Sequence, residues 1–204
     1  MAQTRHRVGE QRPGGRAARV RTDTLTATID LLEEIGYERL TVDAVAARAG
    51  VHKTTVYRRW PTKAELVLDA TRELSEQRIP IPDTGTLRGD LQALGRGIVA
   101  TIGSEPGGRR SRSLVAAAAS TPELTGAMHA FWAGRLAATE PIVERAIARG
   151  QLPATADPNT VIEALIGPLW IRLLLTGEPV DEAFADRVAD LVSAGAESPG
   201  PDRT

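Results

Sequence analysis

The 204-residue chain has no cysteine, which excludes disulfides and thiolate chemistry and is compatible with a reducing compartment. Its three histidines stand apart at His6, His52 and His129, there is no zinc-ligand spacing, and no glycine-rich phosphate loop follows a strand pattern. No cofactor, no metal and no catalysis are therefore expected, because a reacting site needs convergent acid, base or metal groups. Aromatic residues make up 3% of the chain, and lysine occurs only at Lys53 and Lys63 against 23 arginines. Long hydrophobic runs are also missing: the longest apolar tract, Ile166 to Leu175, falls well short of the ~20 residues that span a bilayer. The N-terminus is rich in arginine and has no apolar secretion core, so a soluble, cytoplasmic protein is expected. A net charge of −1 hides a division, since residues 1–60 hold 11 Lys and Arg against 7 Asp and Glu while the remainder is acidic. A local positive field of this kind is what contact with phosphates requires, whatever the total charge.

What the chain does have is a pair of short amphipathic patterns over Thr41 to Leu66. Val42, Val45, Ala46 and Ala49 recur at helical spacing behind Thr41, a natural N-cap. Gly50 stands where a helix must stop and turn, because glycine accepts a left-handed backbone without steric cost. On the second pattern Val56 and Trp60 share one face, which leaves Thr54 and Arg58 farthest from the core and Thr55 and Tyr57 on the flanks. His52 and Lys53 project from its N-terminus, the end that enters the major groove in helix-turn-helix proteins. Pro61 stops this helix, and Thr62-Lys63-Ala64-Glu65 is a capping box that opens the next. Both lysines fall inside this segment, where a compact point charge suits a phosphate or a purine edge.

The tract from Thr22 to Thr71 resembles the DNA-binding domain of the TetR/AcrR family of bacterial transcription regulators. The resemblance rests on Gly36-Tyr37, Leu40-Thr41-Val42, Ala44-Val45-Ala46-Ala47-Arg48-Ala49-Gly50-Val51 and Thr55-Val56-Tyr57-Arg58-Arg59-Trp60-Pro61-Thr62-Lys63-Ala64-Glu65-Leu66 in one register. It departs at His52, where a small N-capping serine is common, and at Arg59, where an aromatic or histidine is common. The resemblance implies an all-α chain of about nine helices, a three-helix reading domain followed by a larger helical domain that dimerises and senses a small-molecule effector. It implies phosphate contacts from Thr41, Tyr57 and Lys63 and base contacts from His52, Lys53, Thr54 and Thr55, with Arg58 serving either purpose. The implied function is a ligand-responsive regulator, most often a repressor, that binds a palindromic operator of duplex DNA as a homodimer with half-sites one helical turn apart, or a multiple of it. The competing reading is a helical protein-protein interaction module with an incidental basic N-terminal segment.

Four divisions are expected along the chain: a basic arm at 1–21, a reading domain at 22–71, an effector and dimerisation domain at 72–196, and a tail at 197–204. The arm, with six arginines around Pro13-Gly14-Gly15, either docks on DNA or is a mobile leader. Ile79 to Gly85, with two prolines, reads as a hinge, and helical patterns follow near 86–103, 111–120, 122–150, 158–176 and 180–195. Ile162, Leu165, Ile166, Leu169 and Leu173, with Phe184, Val188 and Leu191, form stripes suited to a four-helix bundle between two subunits; the alternative is that they pack within one. Met128, Phe131, Trp132 and Trp170, with His129 and Arg172 as polar handles, either wall an effector cavity or fill an ordinary core. Pro141 and Gly167-Pro168 are expected to bend or restart their helices.

Overall fold

A computed structural model describes residues 13–197, and among these every regular element is helical. The order is α1 (Pro13–Arg39), α2 (Val42–Arg48), α3 (Lys53–Arg59), α4 (Lys63–Arg78), α5 (Leu87–Ile102), α6 (Glu105–Ala118), α7 (Pro122–Ala148), α8 (Pro158–Ile171), a π-helical turn (Arg172–Thr176) and α9 (Glu182–Glu197). Helix starts follow local chemistry. The side chains of Thr41, Thr62, Thr86, Ser104 and Asp157 each accept a hydrogen bond from the backbone N–H three residues on, at 2.8–3.3 Å.

Two apolar cores organise the chain. The first gathers Leu25, Leu32, Leu40, Val45, Val56, Trp60 and Leu66 from α1–α4, but also takes Leu114 and Ala117 from α6 and Leu124 from α7. The second joins α5, α7, α8 and α9 around Leu91, Leu94, Ile142, Leu165 and Leu169. The reading domain is thus fused to the larger one through α6. Two polar links reinforce the seam: the Arg110 guanidinium is paired with the Glu33 carboxylate, and the Tyr37 N–H donates to Ser113 Oγ at 2.7 Å, beside the kink at Gly36.

Several expectations change. Residues 13–21, assigned to a mobile arm, are the opening turns of α1, and Arg21 reaches Glu73 at 2.5 Å and Asp69 at 3.1 Å on α4. Alanine and arginine are good helix formers, and Arg21 finds partners that composition cannot reveal. Residues 1–12 of that arm, and 198–204 of the tail, lie outside the described residues, while Glu197 ends α9. α6 begins at Glu105, not near 111: Ser104 caps it by accepting from the Gly107 N–H and Pro106 stands in its first turn, while Gly107 permits a close approach, since a Cβ there would sit 2.0 Å from the Thr101 carbonyl oxygen. The tract Ile79 to Gly85 is non-helical but strapped, with Asp83 bound by Arg149 at 2.7 Å and the Pro82 carbonyl by Arg145. Pro141 and Pro168 lie inside continuous helices. Pro158–Thr176 is, by length and composition, apolar enough to cross a membrane, which corrects the expectation that no stretch is; one face of it packs in the second core and part of the rest is exposed.

Acid stability follows from the pairs. Hydrogen bonds from Arg21 hold the Glu73 carboxyl below its ordinary range, and those from Arg149 do the same for Asp83. A carboxylate whose folded pKa is depressed stabilises the fold above its unfolded pKa, and that contribution is lost as pH falls through the folded value. Melting temperatures measured by circular dichroism are expected to be flat from about pH 7 to 5 and to fall below about pH 4.

Candidate nucleic-acid interface and ligand cavity

α2 and α3 meet at Gly50, whose φ of +65° is the left-handed turn that the sequence requires, and the Val51 N–H closes it on the Ala46 carbonyl. Val56 and Trp60 are buried beneath α3, the Trp60 indole N–H donating to Asp69 at 2.9 Å. Anchored on that side, α3 turns His52, Lys53, Thr54 and Arg58 fully outward, with Thr55 half-buried at the flank. Tyr57 is 47% exposed, which leaves its hydroxyl within reach of a partner outside the fold. Lys53 lies 3.7 Å from Asp43 across water-exposed surface, a weak restraint that a phosphate can displace, and the His52 ring is 2.9 Å from Thr54 Oγ1.

The residues implied as phosphate ligands sit at the edges of this face. Thr41 is exposed and already caps α2 through its oxygen, which leaves its O–H free to donate. Lys63 is half-buried: its ammonium lies 4.1 Å over the Tyr37 ring and donates to the Tyr37 carbonyl at 3.1 Å, so it ties α4 to the end of α1 and retains further donors. Arg59, which the sequence reading left out of the site, is exposed on the same helix and lies over the Trp60 ring.

Between α4, α5, α6, α7 and α8 runs a cavity of about 890 Å³, its open mouth included. Met128, Phe131, Trp132 and Trp170 do line it, with Trp132 edge-on to both Phe131 (5.5 Å) and Trp170 (5.4 Å). His129 and Arg172 do not. His129 is exposed on the outer side of α7, and Arg172 stacks 3.4 Å over Phe184 and donates to the Pro179 carbonyl at 2.6 Å, fastening the loop between α8 and α9. The polar handles are instead Arg110 and Arg135, which the sequence reading missed. Their signal was available: Arg135 falls on the Met128, Phe131, Thr139 stripe of α7, and Arg110 lies one turn before Leu114 on α6. Burial pulls both guanidiniums below their ordinary pKa, with Glu33 opposing the shift at Arg110.

The expected intersubunit stripe also needs correction. Ile162, Leu165, Leu169, Leu173 and Val188 are buried in the chain's own second core, Ile166 lines the cavity, and Phe184 is half-buried under Arg172. These positions answer to the alternative of packing within one subunit. Of the eight, Leu191 alone is exposed, at 74%; Ile171, Leu174 and Leu175 are exposed as well, the last at 80%.

Comparison with known proteins agrees with both halves of this geometry. The family model for bacterial regulatory proteins, tetR family, matches residues 25–70, and that for the tetracyclin repressor-like C-terminal domain matches residues 81–192. An uncharacterized HTH-type transcriptional regulator of Mycobacterium tuberculosis, Rv1556, is 38% identical over 170 residues, covering 83% of each chain. The HTH-type transcriptional regulator AqdR of Rhodococcus erythropolis is 31% identical over 185 residues, covering 91% of this chain and 89% of its own. Among solved structures, the TetR family transcription regulator SCO0332 superposes with a TM-score of 0.74 at 34% identity, covering 87% of this chain and 98% of that one.

Proposed function

The chain belongs to the tetR family of bacterial regulatory proteins, transcriptional regulators with a helix-turn-helix DNA-binding domain and a C-terminal ligand-binding domain, and on that premise we propose that it is a repressor that binds a palindromic operator as a homodimer and is released by a small-molecule effector. The observation that carries this reading is α3 itself, buried on Val56 and Trp60 and bearing His52, Lys53, Thr54, Thr55 and Arg58 toward solvent. In the major groove the first turn of that helix meets base edges, while Thr41, Tyr57 and Lys63 reach the flanking phosphates and set its register. Release from the operator fits the repressor-like C-terminal domain.

Dimerisation is supported by the outward apolar side of α8, its π-helical turn and α9. Ala164, Ile171 and Leu175 recur along one face, and Leu191 stands out from α9. Large apolar side chains left this exposed call for cover, and a two-fold axis beside them would bring together two reading heads. The effector occupies the cavity between α4 and α8, and it needs a preference of about 1–3 kcal/mol for one state to act.

Operator selected from random duplex, titrated by fluorescence anisotropy, tests the reading. Lys53→Ala is expected to weaken binding about tenfold or more, and Tyr57→Phe to weaken it less, with melting temperatures unchanged because both side chains are exposed. Unaltered affinity in both variants would leave only an interaction module.

A further inference from the structure

Twenty residues line the cavity, and its charge is one-sided: Arg110 and Arg135 are cationic and no carboxylate faces it. The two differ in what satisfies them. Arg110 is 2% exposed and holds Glu33, a residue of α1 in the reading domain, with a second, long hydrogen bond of 3.5 Å to the Thr101 carbonyl. Arg135, half-buried on α7, has no carboxylate within ion-pairing distance among the described residues, and its guanidinium makes one long contact, 3.4 Å to the Ile79 carbonyl. A planar group with five donors thus spends one of them, weakly, on the protein and keeps the rest for whatever enters the cavity, where a carboxylate would pair with it directly. Glu76 acts on Arg135 only at a distance. The remaining surface is made of aromatic and aliphatic side chains, Phe131, Trp132, Trp170 and Ile166 among them, with a few hydroxyls.

Building on the regulator reading, we propose that the effector is a small amphipathic monoanion, its carboxylate on Arg135 and its apolar body against Trp132 and Trp170, and that its charge draws Arg110 away from Glu33. One charge fits because the Arg110–Glu33 pair is already neutral, leaving Arg135 as the unmatched cation. The consequence for DNA lies in where Glu33 sits. α6 is joined to α1 by Arg110–Glu33 and by Ser113 on the Tyr37 N–H, so one face of α6 walls the cavity and another grips the helix that braces α2 and α3. An anion that competes for Arg110 loosens the first of these links. By the same competition, Glu33 in place weakens the anion's hold.

The test uses three probes of equal chain length, octanoate, 1-octanol and octylammonium, titrated into the full-length protein with tryptophan fluorescence, Trp132 and Trp170 being in the cavity wall. Octanoate is expected to bind at least tenfold more tightly than either of the others, and Arg135→Gln to remove that advantage while leaving octanol unchanged. Glu33→Gln, which keeps a hydrogen-bonding side chain opposite Arg110, is expected to bind octanoate several-fold more tightly and to lower operator affinity. No octanoate binding, equal binding of octanol, or an advantage that survives Arg135→Gln overturns the ligand class. Octanoate affinity that stays the same or falls in a folded Glu33→Gln overturns the competition. Operator titration of the unmodified protein separates these failures from failure of the regulator reading, which predicts DNA binding whatever the cavity holds.

Discussion

Replacing Leu175 and Leu191 together by arginine is expected to leave the protein monomeric and to cost operator affinity about 10²- to 10⁴-fold, the advantage that linking two binding heads confers. Both side chains are among the most exposed large apolar groups of the chain, so charge placed there meets water in the single subunit and stability should change by no more than about 0.5 kcal/mol. In a dimer built on that face the same four charges per pair of subunits would be desolvated against like charges, which is prohibitive without partners. Sedimentation velocity gives the mass, anisotropy the affinity, and a urea melt of the subunit guards against unfolding. A variant that still sediments as a dimer would move the interface elsewhere. Leu165→Ala is the contrasting change: this side chain is fully buried in the second core, and its loss should cost about 2–5 kcal/mol of subunit stability without a specific effect on association.

Trp60→Ala is expected to destabilise the protein by about 3–5 kcal/mol and to abolish operator binding at 37 °C. The indole fills the space under α3 and is nearly sealed from water, and its N–H holds an Asp69 carboxylate that also receives Arg21 from α1. Truncation therefore opens a void beneath the reading helix and removes one of the bonds that fix α4 to it. Trp60→Phe separates the two effects, since it retains most of the packing and forfeits the hydrogen bond, at about 1 kcal/mol. Urea unfolding followed by circular dichroism measures both variants; a loss below 1 kcal/mol for Trp60→Ala would mean that α3 is held by other contacts.

The reading domain was legible in the sequence because its determinants are local. Thr41, Gly50 and the Thr62 capping box act within four residues of their own position, and each appears in the structure with the hydrogen bond or dihedral angle its chemistry calls for. The outer domain was legible only as a succession of helices. α8 is apolar nearly all round, so its periodicity cannot say which side meets its own core and which a second copy, and five of the residues assigned outward proved to face inward. The cavity's arginines were overlooked for a related reason. A charged residue on an apolar stripe reads as solvent-facing until the partner is known, and Glu33, the partner of Arg110, lies 77 residues away. The first turns of α1 are a similar case, Arg21 being answered by Asp69 and Glu73 on α4.

α4 runs from one core to the edge of the other. It begins under the reading helix with Ala64, Leu66 and Val67, and its C-cap, Ile79, is buried in the second core. Sixteen residues of helix make a stiff rod about 24 Å long, and a pivot of ~5° at one end sweeps the other by about 2 Å. Cavity residues Leu68, Thr71, Leu74 and Ser75 line the middle of that rod. On the proposed reading, a molecule pressing there would work on a lever, so that displacements too small to disturb packing around the ligand would arrive at the DNA as a misfit in groove spacing.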